Sequence, residues 1–181
     1  MASTLKVNTI QNAAGNLNFF DGAPSFDLWR LSANFSGNDA TITGWEQPDS
    51  PTTSVGATIN GMSETSSNSG VFLFPSTGIY QVTLFLNGVQ SSNADSSMGA
   101  SIHTSHDSGS SFPMAALVYG NGDTDTGHNN GAATSCFVKV TNTSTTQLKF
   151  ITQSLGTGAF LGGNSTYNFT HFTSVKMAPL Q

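Results

Sequence analysis

The stretch Val71–Leu86 reads VFLFPSTGIYQVTLFL, and it decides the fold class. Side chains alternate between the two faces of a strand, so Phe72 and Phe74 share one face. Pro75 ends this first strand because proline has no N–H to donate to a sheet, and Gly78 permits the turn that follows. The segment therefore predicts two consecutive β-strands joined by a tight connection.

The second strand of this segment has the regular alternation of a half-buried β-strand. Tyr80, Val82 and Leu84 fall on one face, whereas the polar Gln81 and Thr83 fall on the other. An apolar face of this kind is stabilised by removing it from water. The predicted core therefore includes Phe72, Phe74, Tyr80, Val82 and Leu84.

The rest of the chain repeats this pattern of short strands and turns. Gly, Asn, Asp and Ser separate the apolar runs, for example at Ser36–Asp39 and Gly120–Asp123, and these residue types favour tight turns. No long stretch has the apolar period of an α-helix. We expect about nine or ten strands in an all-β fold, a β-sandwich of the jelly-roll type.

The last predicted strand carries one residue that breaks its alternation. Five residues share one face with His171 at a spacing of two: Tyr167, Phe169, Thr173, Val175 and Met177. Phe172 lies on the opposite face. A large apolar side chain that faces away from the predicted core is suited to an interface, so Phe172 is predicted to contact a partner.

The first 24 residues form a separate predicted unit. Alternation around Leu5–Ile10, a Gly-Asn turn and the run Leu17–Phe20 indicate a hairpin, and Asp21–Ser25 follows as a joint. Such a hairpin is too small to be stable alone and must pack on its own domain, a sister subunit or another protein. We predict an N-terminal β arm and joint over 1–24 and a jelly roll over 25–181. The predicted docking residues of the arm are Leu5, Val7, Ile10, Phe19 and Phe20.

The composition excludes several classes of partner. Charged residues make up 8% of the chain, against about a quarter in ordinary proteins, and the formal net charge is −5. The basic residues are scattered, so no patch exists for electrostatic binding of nucleic acid. No apolar run reaches the roughly 20 residues of a membrane span, and the N-terminus lacks a signal-peptide core. We therefore expect a protein made in a cytoplasm, with no nucleic-acid partner and no membrane insertion.

Motifs for catalysis or metal binding are absent from the sequence. It contains no G-x-S-x-G, H-E-x-x-H, P-loop or G-x-G-x-x-G pattern, and Cys136 has no basic neighbour. His103 and His106 face opposite sides of a strand, which is poor geometry for one metal ion. Asp123–Gly127 resembles the start of a calcium loop but lacks its later ligands. We expect no enzyme activity, no cofactor and no required metal.

Three alternatives stay open at this point. Two carboxylates that are distant in sequence could meet in space, as in glycosidases. A trimer axis could gather one His from each subunit, although simple polar surface is the expected role of the four His. The loops could also bind a glycan, for which Trp45, Tyr119 and Asn129 are suitable residue types.

Several segments resemble the virion proteins of marine, cyanophage-like bacteriophages. Ser3–Gln11 resembles the opening of many of these proteins, and Asp27–Phe35 resembles the first strand of their β domain. Gly61–Glu64, followed by Gly70–Tyr80, resembles that domain and also the C1q/TNF-like jelly roll, in which an F-x-F-P-x-x-G-x-Y segment joins two strands. The resemblance covers roughly residues 3–86 and, weakly, the final strand.

This resemblance implies a compact homotrimer in the virion that acts by binding and not by chemistry. The main hypothesis is a capsid decoration (cement) protein or short head fibre, which docks on other virion proteins through its N-terminal arm. The alternatives are a tail-fibre knob that recognises a host-surface glycan and a cellular lectin-like module. The short chain without a stalk favours decoration or a short head fibre over a long tail fibre.

Overall fold

The computed structural model describes residues 25–48, 61–90, 97–121 and 129–180. Within these ranges the chain forms eleven strands and no helix. The strands are β1 (Phe26–Leu31), β2 (Trp45–Glu46), β3 (Ser63–Glu64), β4 (Val71–Leu73), β5 (Gly78–Gln90), β6 (Ser97–Ser105), β7 (Met114–Asn121), β8 (Asn129–Val140), β9 (Gln147–Gln153), β10 (Ala159–Leu161) and β11 (His171–Ala178). The number slightly exceeds the expected one because β2 and β3 are two-residue strands.

The strands form two antiparallel sheets that pack face to face. In the six-stranded sheet β8 pairs with one edge of β5, and β11 and β10 pair with successive parts of its other edge. β1 and β2 continue this sheet beyond β11. The five-stranded sheet has the order β3-β4-β9-β6-β7. This is the all-β jelly-roll sandwich that the sequence predicts.

β5 is the longest strand and carries the alternation that the sequence shows. From Tyr80 to Leu86 each second side chain is buried in the core, and those between are half-buried on the outside. Gly78 begins the strand at φ +154°, where a Cβ would lie 2.8 Å from the carbonyl oxygen of Ala178. Only glycine fits this close approach without displacing the end of β11.

The core between the sheets is rich in aromatic rings. The ring centroid of Phe172 lies 4.6 Å from that of Phe150, 4.9 Å from that of Phe72 and 5.2 Å from that of Trp45. The Trp29 ring meets Phe72 edge-on at 5.1 Å. Such tilted and edge-on pairs add to the free energy gained by burial. All five predicted core residues lie in this core, each at most 2% exposed: Phe72, Phe74, Tyr80, Val82 and Leu84.

The prediction that Phe172 belongs to an interface is wrong, because its side chain is fully buried within the subunit. The register places Phe172 opposite Trp29 of β1 and Leu84 of β5, and paired residues of antiparallel strands share a face. The inward face of β11 therefore holds Phe172 and the polar Ser174. The predicted alternation failed because the outward face of β11, with Val175, is as apolar as the inward one.

A buried carboxylate fastens β1 to the segments that follow it. Asp27 is fully buried and accepts hydrogen bonds from Trp29 Nε1 at 2.7 Å, from the Met62 amide at 2.6 Å and from Gln47 Nε2 at 3.2 Å. These donors offset the cost of removing the carboxylate from water. The bonds hold the first strand against the residues that lead into β3.

Some of the predicted features lie outside the described residues. These are the arm, 1–24, with Leu5, Val7, Ile10, Phe19 and Phe20, and the loop Asp123–Gly127. Among the residues that the structure does describe, no helix is long and apolar enough to cross a membrane.

The core assignment predicts the effect of truncating Leu84, which is fully buried. Leu84→Ala is expected to lower the free energy of unfolding by about 2–5 kcal/mol, because it removes apolar burial and leaves a cavity. Leu73→Ala is the matched control, since Leu73 is half-buried on the outside of β4, and it should cost clearly less. Chemical denaturation of both variants measures the difference. Equal losses would show that the buried face of β5 is misassigned.

Candidate functional site

The outward face of the six-stranded sheet is built from alternate residues of β1, β5, β8 and β11. Because paired residues share a face, the strand register arranges these side chains in rows across the sheet. We call the outward residues of three successive rows the open face: Phe26, Val175, Gln81 and Phe137; Leu28, Thr173, Thr83 and Ser135; His171, Phe85 and Ala133.

The open face carries little charge. Of its residues only His171 has an ionisable side chain. Arg30, the register partner of His171 on β1, is 4% exposed, and its Nε donates to Glu46 Oε1 at 2.9 Å. Its guanidinium also donates to the carbonyl oxygen of Ser165. A partner could therefore cover this face without burying an unpaired charge.

Phe137 is the most exposed large apolar side chain in the described part of the chain, at 69%. It lies on β8, whose only strand partner within the described residues is β5. A ring this exposed on an edge strand gains free energy when another surface covers it. Phe137 therefore marks the open face as a surface suited to contact.

A second apolar surface lies along β7, the edge strand of the other sheet. Met114, Leu117 and Tyr119 are exposed there, and β7 runs beside β8 where the two sheets approach each other. The subunit thus presents an apolar face and, next to it, an apolar edge. Two such unlike surfaces can bind head to tail, and they form a closed ring when the rotation between subunits permits.

Aromatic rings occupy one end of the open face. The His171 ring is stacked on Phe85 at 4.6 Å with an interplanar angle of 9°, and its Nδ1 donates to the carbonyl oxygen of Phe169 at 3.0 Å. In the segment before β11 the rings of Tyr167 and Phe169 stack at 6.2 Å and are exposed. Stacked, exposed rings favour contact with another flat surface.

The path of the chain matches solved jelly rolls. A structure of Eiger TNF from S. frugiperda superposes with a TM-score of 0.58 and 15% sequence identity, covering 87% of this chain and 96% of that one. The fold is the jelly roll of TNF-family proteins. A crystal structure of murine APRIL at pH 5.0 has a TM-score of 0.53 and 12% identity, covering 86% of this chain and 100% of that one. No family model and no curated protein matches the sequence.

Of the three residues considered for glycan binding, the TNF-like jelly roll buries one and exposes two. Trp45 is a core residue, 7% exposed, with its Nε1 donating to the carbonyl oxygen of Ile42 at 2.8 Å. It cannot stack on a sugar, so that expectation is wrong. Tyr119 and Asn129 are exposed on β7 and at the start of β8.

His103 is buried, contrary to the expectation of polar surface. Its Nδ1 donates to the carbonyl oxygen of Phe112 at 2.8 Å, and its Nε2 accepts from Ser101 Oγ at 2.8 Å. This is the geometry of a nucleophile with its base. However, Ser101 is fully buried, and Gln153 Nε2 and the Ile151 carbonyl oxygen also contact its hydroxyl. A substrate has no access, so the network fastens β6 to β9 and to the loop before β7.

The side chains that could bind a metal ion do not cluster in the described part of the chain. Within the described ranges no three His, Cys, Asp or Glu residues gather as a metal site. Asp107 accepts hydrogen bonds from Ser111 and Ser105, chiefly the Ser111 hydroxyl, and these lower the pKa of its carboxyl from 3.8 to about 2. It organises the loop that contains the exposed His106.

The open face was not among the predicted sites, although β5 carries a signal for it. The outward residues Gln81, Thr83 and Phe85 include no charge and one large ring. A solvent-facing strand usually carries charged residues. Their absence on the central strand leaves a surface that a partner can cover without burying charge.

Cys136 is half-buried and packs against the core from β8, opposite Val82. Burial raises the pKa of its thiol to about 11. At pH 8 the thiol is therefore protonated and weakly nucleophilic. We expect a thiol reagent at pH 8 to label the folded protein at least about tenfold more slowly than the protein in urea. Equal rates would show that β8 is open to solvent on this side.

Proposed function

We propose that this chain is the subunit of a homotrimeric, non-enzymatic structural protein of a bacteriophage particle. The observation that carries the trimer is the open face, a charge-poor surface that exposes Phe137 at 69%. The TNF-like fold, which is typically trimeric, supports the same assembly. In this arrangement the apolar edge of β7 on one subunit covers the open face of the next, and three such contacts close the ring.

A binding role agrees with the chemistry of the described residues. The Ser101–His103 pair is sealed from substrate. The surface is poor in charge, so contacts with partners depend on apolar burial and neutral hydrogen bonds. Such contacts resist moderate salt, because screening acts on charges. A protein of this kind suits permanent assembly on a particle.

The resemblance of Ser3–Gln11 and Asp27–Phe35 to marine phage virion proteins supports a place in the virion, after synthesis in the host cytoplasm. Within the virion we propose a capsid decoration protein or short head fibre. Its partner is another virion protein, which the N-terminal arm binds by adding a strand to a sheet. A glycan-binding knob is the second candidate, favoured by the exposed, stacked rings of Tyr167 and Phe169.

The trimer predicts a mass three times the 18.8 kDa of the chain in light scattering. Thr83→Arg places a charge at the centre of the open face, between Thr173 and Ser135. This variant should dissociate into folded monomers, because the interface would bury an unpaired guanidinium. Ser67→Arg is the matched control in the exposed turn between β3 and β4, and it should stay trimeric.

Two results would contradict this assembly. A monomeric mass for the unaltered protein at micromolar concentration would exclude the trimer. A Thr83→Arg variant that keeps the trimeric mass would exclude the open face as its interface. Circular dichroism checks that each variant retains its β structure.

The proposed role of the arm predicts that attachment to the particle can be removed without loss of the trimer. Deletion of residues 1–22 should leave a trimer that no longer joins particles, because the docking strand is removed and the jelly roll stays complete from Ser25. Co-sedimentation with particles lacking the protein measures attachment. Undiminished decoration by the truncated trimer would show that the jelly roll itself binds the particle. Binding to host cells and not to particles would favour the glycan-binding knob.

A further inference from the structure

A shallow groove of about 440 Å³ lies at one end of the six-stranded sheet. Its lining residues are Ile79, Lys139, Thr141, Pro179 and Leu180. Ile79 and Leu180 are half-buried, and the other three are exposed. Three of the five lining residues are apolar, and Lys139 adds one ammonium group. Neither the trimer contact nor any of the predicted sites uses this groove.

The direction of β1 places Ser25, the residue that follows the N-terminal segment, at this end of the sheet. β1 and β11 are antiparallel, with Phe26 opposite Val175, and the Lys176 amide donates to the carbonyl oxygen of Ser25 at 2.9 Å. Ser25 therefore lies beside the end of β11. Pro179 and Leu180 follow that end directly.

The distance between the groove and Ser25 is short. Ile79 is the partner of Ala178 and of Lys139, so the groove spans β11, β5 and β8. Neighbouring strands lie roughly 4.8 Å apart, which places β5 about 10 Å and β8 about 14 Å from β1. The segment from Phe20 to Ser25 can span up to about 17 Å when extended.

The residues of the N-terminal segment at that distance include apolar rings and a carboxylate, which suit the apolar residues and the ammonium group of the groove. Phe19 and Phe20 are consecutive aromatics, and Asp21 follows them. In an extended segment Phe19 and Phe20 point to opposite sides, so one ring can enter the groove. Lys139 makes no ion pair within the described residues, and a carboxylate next to the ring would pair with it at the border.

We propose that the groove seats Phe20 of its own chain, with Asp21 beside Lys139. The aromatic ring gains free energy by covering Ile79, Pro179 and Leu180. This contact fixes the root of the arm on the jelly roll and leaves Leu5, Val7 and Ile10 for the particle. It goes beyond the proposed function and does not depend on it, because it acts within one subunit.

Disulfide trapping tests directly whether residue 20 lies in the groove. Phe20→Cys and Leu180→Cys are combined in a Cys136→Ser background, which removes the natural thiol. A disulfide requires Cβ atoms within about 4.5 Å of each other, so the bond forms only when residue 20 reaches the groove. Phe20→Cys with Ser67→Cys is the matched control, since Ser67 lies in the turn between β3 and β4. After mild oxidation, peptide mass spectrometry should find the 20–180 bond within one chain, well above the control.

Two outcomes overturn the proposal. A yield no higher than that of the control shows that Phe20 does not visit the groove. A bond between two chains shows that the arm seats on a neighbouring subunit. Both are read on free protein, so they are distinct from a failure of the mass or particle-binding experiments.

A second measurement avoids the engineered cysteines. Chymotrypsin should cut after Phe20 slowly in the unaltered protein, because a seated ring is protected from the protease. Leu180→Asp should speed this cut at least about fivefold, since cleavage follows the population of the open form. The melting temperature of the variant shows whether the jelly roll is intact. An unchanged rate in an intact variant also contradicts the seat.

Discussion

The packing of the Phe172 ring against Trp45, Phe72 and Phe150 is the contact on which the sandwich depends. These four rings come from both sheets, so their burial holds the layers together and fixes which side of each strand faces inward. Once Phe172 faces the core, its neighbours on β11 must face outward. The same contact therefore creates the interior of the subunit and selects the residues of the open face.

A chain with so few charges must pair its buried polar groups and must present an exposed surface that carries few ions. Inside, two groups of buried polar side chains are held by hydrogen bonds, the Asp27 contacts and the Ser101–His103 network. Outside, the open face offers rings and hydroxyls where most surface sheets carry ions. A surface of this type is stabilised by being covered, and this is why the proposed role is assembly and not catalysis.

The proposed function assigns subunit contact and particle binding to different parts of the chain. In the proposed function, the open face and the apolar edge of β7 bind sister subunits, and the N-terminal arm binds the particle. Ser25, which follows the arm in sequence, lies beside the end of β11. A groove that holds the arm at Phe20 would restrict the directions in which residues 5–10 can extend. Restricting a docking strand before it binds reduces the entropy lost on attachment.

The sequence by itself determined the fold class and the core of β4 and β5. Pro75, Gly78 and the alternation that begins at Tyr80 act locally, so neighbours in sequence suffice to predict them. Only the tertiary structure decided which face of β11 points inward. Both of its faces carry apolar residues, and it is the register with β1 and β5 that places Phe172 in the core. The tertiary structure also decided the candidate site, since the open face joins Phe85 to Phe137 through pairings between strands distant in sequence.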